Sequence, residues 1–236
     1  MQKTMIESAH GDLALESFLA TNPAAAGGPR PLVLMFPNFF GLDEVDDANA
    51  ARIAGLGYAA FGCDLYGKGQ RGGSREDAAA RMQPLREDRA LLQDRMRHLL
   101  AVARGLDGVD GGKVAAIGFC FGGLCVLDLA RAGADVTGVA SFHGIYTPPA
   151  NIPAPKITAR VAVYHGWEDA LCPPDHVVAL ARELTGAGCD WQLHAYGGAV
   201  HGFTHARPPE AGLPLNALAD ARSWRSLAGF LSECFA

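Results

Sequence analysis

Apolar residues in this chain gather in short blocks that alternate with longer segments of mixed character. The stretches 32–36 (LVLMF), 58–63 (YAAFGC), 113–118 (KVAAIG), 136–142, 160–165 (RVAVYH) and 191–196 (WQLHAY) have strand length, and most are nearly continuous in apolar residues. Strands without a polar face are those buried on both sides of a sheet. Residues 13–19 alternate weakly and read as an earlier strand. Between these stretches, 43–56, 75–104, 124–132, 174–185 and 215–235 read as helices. The first opens on acids suited to a helix N-terminus, and Pro84 is expected to break or kink the second. Turn-forming residues fill 22–30 (NPAAAGGPR), 67–74 and 147–155. Strand and helix in regular alternation predict an α/β fold: a mostly parallel central sheet with helices on both faces. No repeat or linker divides the chain, so residues 1–236 are expected to form a single domain. The crossovers should be right-handed and the site should lie at the carboxyl ends of the strands.

Composition narrows the function classes. The 236 residues include 20 Lys+Arg against 25 Asp+Glu, for a net charge of −5, and 49% are hydrophobic. That is a globular rather than a disordered composition. The absence of a basic block argues against a nucleic-acid partner, because phosphates are neutralised by clustered cations. The six cysteines include no C-x-x-C pair, so zinc-ribbon and thioredoxin-like readings lack their signature. The opening MQKTMIESAHGDLALES has no apolar core of signal-peptide length. The most apolar run, 114–126, is short and interrupted by Gly118, Gly122 and Gly123, which argues against a membrane span. The expectation is a cytoplasmic protein with reduced thiols and no membrane partner.

The sharpest local signal is Gly118-Phe119-Cys120-Phe121-Gly122-Gly123, between the strand KVAAI and the helix LCVLDLA. This is G-x-C-x-G, the pattern of a strained strand-to-helix elbow whose positions two before and two after the nucleophile must be small. Such an elbow lifts Cys120 out at the strand end. It sets the thiol at a helix N-terminus, which favours thiolate, and aims the backbone N–H of Phe121 at a reacting carbonyl oxygen. The competing reading is a glycine-rich turn with a buried, inert Cys.

An activated nucleophile needs a base, and the base needs an acid to orient it. Folds with this elbow order them along the chain as nucleophile, acid, base. Downstream, RVAVYH runs into Gly166-Trp167-Glu168-Asp169, and WQLHAY runs into Gly197-Gly198-Ala199-Val200-His201-Gly202-Phe203. Asp169 and His201 therefore each follow a strand end, in the required order. Asp169 could equally be a turn residue, Glu168 is a rival acid, and seven other histidines are present, among them His143, His165, His176 and His205.

With these residues in place, the chain resembles the dienelactone hydrolase family of α/β-hydrolases. The resemblance is carried by PNFFGL at 37–42, CDLYGKG at 63–69, GFCFGG at 118–123, HGWEDALCPP at 165–174 and YGGAVHGF at 196–203. It implies an α/β-hydrolase fold and a triad of Cys120, His201 and Asp169. It further implies a second oxyanion donor in the backbone N–H of Phe39, and hydrolysis of a small ester or lactone without metal or organic cofactor. Family members carry Glu where this chain has Asn38; there the carboxylate pairs with the resting thiol. Asn cannot accept that proton, so Cys120 is expected to rest against His201. Family members also hold the substrate carboxylate with two arginines. The candidates here are Arg75 or Arg81, and Arg207, none in clean alignment. Tyr66 and His143, near strand ends, are further candidates to line the pocket.

Competing functions have their own discriminators. A general esterase or thioesterase, favoured by Asn38, would show no dienelactone preference. A non-catalytic ligand-binding protein would bind without turnover. A thiol redox protein would need a resolving cysteine, for which only Cys125 or Cys172 comes into question.

Overall fold

The computed structural model describes residues 1–25, 27–152, 156–204 and 215–236. Eight strands build one sheet: β1 (Gln2–His10), β2 (Leu13–Thr21), β3 (Arg30–Phe36), β4 (Ala59–Gly62), β5 (Val109–Phe119), β6 (Gly138–Phe142), β7 (Arg160–Gly166) and β8 (Trp191–Tyr196). Among the described residues, six helices accompany them: α1 (Glu44–Gly55), α2 (Arg75–Glu87), α3 (Arg89–Arg104), α4 (Phe121–Arg131), α5 (Pro174–Gly186) and α6 (Ala217–Phe235). The strand order is β1-β2-β4-β3-β5-β6-β7-β8. β1 and β2 pair antiparallel at one edge, and every pairing from β4 through β3 to β8 is parallel.

The apolar strands are continuous because alternate residues feed two cores. Leu32, Leu34 and Phe36 of β3 join Val114, Ala116, Val161 and Val163 on the face covered by α3, α4 and α5. Val33 and Met35 join Ile117, Phe119, Ala140, Phe142 and Tyr164 on the face covered by α1 and α6. A side chain buried on either side leaves no polar alternation to read.

Local chemistry sets the helix ends. Asp43 caps α1 in a reciprocal box with Asp46. The segment 75–104 is interrupted, though not at Pro84, which lies inside α2. The break falls at Asp88, which ends α2 and caps α3 by accepting the N–H of Leu91 at 2.9 Å. β1 was not legible as a strand. It is a mostly exposed edge paired only with β2, so burial imposes little pattern on it.

After β3 the chain moves outward to β4 and then returns to place β5 on the other side of β3. The carboxyl ends of β3 and β5 therefore flank the crevice where strand order reverses, the usual ligand position in such sheets. All six cysteines are free thiols. Among the described residues, no helix is long and apolar enough to cross a membrane.

Candidate active site

Cys120 occupies the turn between β5 and α4 with φ 55° and ψ −110°. This conformation is sparsely populated for a residue with a side chain and persists only when its surroundings enforce it. The Cys120 N–H is fixed to the Phe142 carbonyl at 3.0 Å, and its own carbonyl accepts from Gly123 and Leu124 in the first turn of α4. The glycines are steric requirements. A Cβ on Gly118 would fall on the Gly122 carbonyl, and one on Gly122 would fall on the Phe36 carbonyl. The turn thus packs backbone to backbone against β3, and Cys120 stands at the N-terminus of α4.

Asp169 and His201 come from the loops after β7 and β8, which are laced together. Trp167 donates to the Tyr196 carbonyl at 3.0 Å and Glu168 to the Ala199 carbonyl at 3.0 Å. A Cβ on Gly166 would strike the carbonyls of Ala199 and Val200, so this approach needs glycine. The lacing turns Asp169 inward and Glu168 out to solvent. Asp169 Oδ1 accepts from the Leu171 N–H at 2.9 Å, while Oδ2 lies 2.8 Å from His201 Nδ1. His201 Nε2 lies 3.0 Å from the Cys120 sulfur. Burial alone would hold the His201 imidazole below its ordinary range. The hydrogen bonds to Asp169 and Cys120 outweigh it and push the pKa up to about 10. A sulfur touching an imidazole whose far nitrogen is held by a buried carboxylate is an arrangement able to activate a nucleophile.

These groups meet at a cavity of about 410 Å³ whose lining includes Asn38, Phe39, Phe40, Cys120 and His201 together with Ile145, Thr147 and Leu171. Asn38 is buried, and its side-chain oxygen accepts the Phe40 N–H at 2.9 Å, which shapes the loop after β3.

The other expected pocket residues are distributed differently. Arg81 is turned away and donates to the Gly72 carbonyl at 2.6 Å. The cavity is reached instead by Arg75, Met82 and Arg86 of α2 and by His176 of α5. Arg75, Met82 and Arg86 are seven and four residues apart and so share one helical stripe, whereas Arg81 is turned about 100° from Met82. That spacing was present in the sequence, but nothing local said which stripe faces the cavity. Tyr66 supports the site from outside. Its hydroxyl donates to the Phe39 carbonyl at 3.1 Å, and burial pushes its pKa up, so it stays protonated. His143 is wholly buried behind His201, with φ 37°, rather than in the cavity wall. Its Nε2 lies 2.8 Å from Thr204 Oγ1, and its ring meets the His201 ring edge-on at 5.4 Å. Arg207 lies outside the described residues, as does His205.

Comparison with known proteins follows the same lines. The dienelactone hydrolase family model matches residues 15–235. An uncharacterised protein of Caenorhabditis elegans is 35% identical over 61% of this chain and 95% of its own length. Carboxymethylenebutenolidase 2 of Cupriavidus pinatubonensis is 29% identical over 76% of this chain and 75% of that protein. The crystal structure of a dienelactone hydrolase-like promiscuous phosphotriesterase from metagenomic libraries superposes with a TM-score of 0.93 at 34% identity. It covers 100% of this chain and 99% of that one.

Proposed function

The chain belongs to the dienelactone hydrolase family, and on that premise we propose that it hydrolyses small carboxylic esters or lactones through a Cys120–His201–Asp169 triad. The observation that carries this reading is the continuous contact from Asp169 through His201 to Cys120, the last two of which line the cavity.

Cys120, as thiolate, attacks the carbonyl carbon. The tetrahedral oxyanion is met by the N–H groups of Phe121, at the start of α4, and Phe39, in the loop after β3. One such donor contributes about 3–4 kcal/mol in a model protease. The His201 imidazolium protonates the leaving oxygen, which leaves Cys120 as a thioester. Neutral His201 then takes a proton from water as the water attacks, and collapse of the second intermediate releases the acid and restores the thiolate–imidazolium pair. Asp169 keeps the imidazole oriented and stabilises its charged form. With Asn38 in place of the family's Glu, the thiol has no competing proton acceptor on that side, and the pair is set before substrate arrives.

Arg75 and Arg86 at the cavity rim suit a substrate bearing a carboxylate near the scissile bond, as a dienelactone does. The apolar wall of Phe39, Phe40, Met82, Ile145 and Leu171 suits a second reading, a general small-ester or thioester hydrolase with no dienelactone preference. One panel separates them: cis- and trans-dienelactone, p-nitrophenyl acetate, a short acyl thioester and a dialkyl aryl phosphotriester, under reductant, for wild type and Cys120→Ala. Dienelactone turnover lost in the variant supports the first reading, and turnover of neutral esters alone supports the second. Equal rates for both proteins would remove Cys120 from the mechanism. Binding without turnover would replace the enzyme reading with a ligand-binding one.

A further inference from the structure

The segment after β6 separates two spaces. Ile145 and Thr147 line the main cavity, while Tyr146, Pro148, Pro149 and Ile152 line a second cavity of about 340 Å³ against Leu180 and Glu183 of α5. This partition is not part of the sheet. Tyr146 is buried in the core and Ile145 packs against it, but the segment borders space on either side, so directional bonds to its backbone set where it sits between the two cavities. Two arginines hold consecutive carbonyls. Arg131 Nη2 donates to the Tyr146 carbonyl at 3.0 Å and Arg89 Nη2 to the Thr147 carbonyl at 3.3 Å.

Both arginines are anchored in turn. Asp128 receives Arg89 Nε at 2.6 Å on one oxygen and Arg131 Nη1 at 3.3 Å on the other. Arg131 also makes a forked pair with Glu183, at 2.7 and 2.6 Å. The Asp128 and Arg131 side chains are 0% and 1% exposed. On the same partition, the Tyr146 hydroxyl lies 3.0 Å from His165 Nδ1. None of these charged groups lines the main cavity.

We propose that Arg131, with Arg89, is a positioning residue that sets the width of the substrate cavity, and with it the size of acyl or alcohol group the enzyme accepts. The bonds to Tyr146 and Thr147 keep the partition forward. Releasing them lets it retreat into the second cavity and enlarges the first. The effect on substrate size rests on the hydrolase reading; the effect on cavity width does not.

The test measures both. Cys120 alkylation by iodoacetamide and by N-phenylmaleimide, followed on the Cys120 peptide by mass spectrometry, gives a bulky-to-small rate ratio without any turnover. The kcat/KM ratio for p-nitrophenyl benzoate over acetate gives the same comparison for hydrolysis. Arg131→Met is expected to raise both ratios about tenfold, the low end of what a pocket achieves in resolving one methylene group. Iodoacetamide alkylation and acetate turnover should stay near wild type, and Arg131→Lys, which keeps a donor but not the fork, should restore part of the selectivity. An unchanged alkylation ratio, or equal changes for both reagents, overturns the proposal. Should Arg131→Met fail to fold, Arg89→Met and Glu183→Gln, each releasing one end of the network, decide it by the same ratios. A wild type that alkylates but hydrolyses nothing ends the hydrolase reading, while the alkylation ratios still decide the partition.

Discussion

His201 Nδ1 lies 2.8 Å from Asp169 Oδ2, a carboxylate with 0% side-chain exposure, although the adjacent residue, Glu168, also carries a carboxylate. The choice is made by the Glu168 N–H, bonded to the Ala199 carbonyl, which turns one acid outward and the next inward. Asp169→Asn is expected to keep the fold and lower kcat about ten-thousand-fold, the cost of the equivalent change in a serine protease triad. Glu168→Gln should leave kcat unchanged. A steady-state comparison of the two variants on one ester checks this, and comparable losses would mean that the acid has been misassigned.

The raised pKa of His201 fixes the sign of the pH response. In the proposed mechanism the imidazolium protonates the leaving oxygen, so kcat/KM should hold through neutral pH and fall as pH rises through about 10. Stability follows the same direction. The charged form is favoured in the folded state, so its contribution is complete below about 6.5, the unfolded value. It is then lost between there and about 10. A pH–rate profile on a neutral ester checks the first statement, and an alkaline limb near 6.5 would contradict it. Asp169→Asn should move the limb downward.

Gly122→Ala is expected to destabilise the protein by about 4 kcal/mol or more, because backbone rather than a movable side chain occupies the place of the new methyl group. Gly55→Ala, at the end of α1 with open space around it, should be neutral or stabilising by about 1 kcal/mol. Urea denaturation of both variants checks the contrast.

Arg86→Gln is expected to lower kcat/KM for a carboxylate-bearing ester about tenfold and to leave a neutral ester unchanged, with the difference shrinking as salt rises. Rates for the two ester types at low and high ionic strength check this. A uniform loss would place Arg86 in the architecture rather than in substrate selection. Arg81→Gln, whose guanidinium serves Gly72, should not discriminate between the esters.

The sequence by itself determined the layered α/β plan, the elbow around Cys120, and the placing of Asp169 and His201 just past two strand ends. These follow from local physics. Continuous apolar runs report strands buried on both faces, and a strained turn admits only glycine beside the residue it presents. The tertiary structure decided what depends on how distant segments meet. It turned Asp169 rather than Glu168 toward His201 through a bond to the neighbouring loop. It brought the Arg75–Arg86 stripe of α2 to the cavity and sent Arg81 to a loop carbonyl. It put His143 behind His201 instead of in the wall, and it set the break between α2 and α3 at Asp88, whose side chain caps the second helix. A helix carries several faces, and a loop several directions. Which one is used is fixed only when packing places a partner there, and one residue type in one local pattern is compatible with more than one such partner.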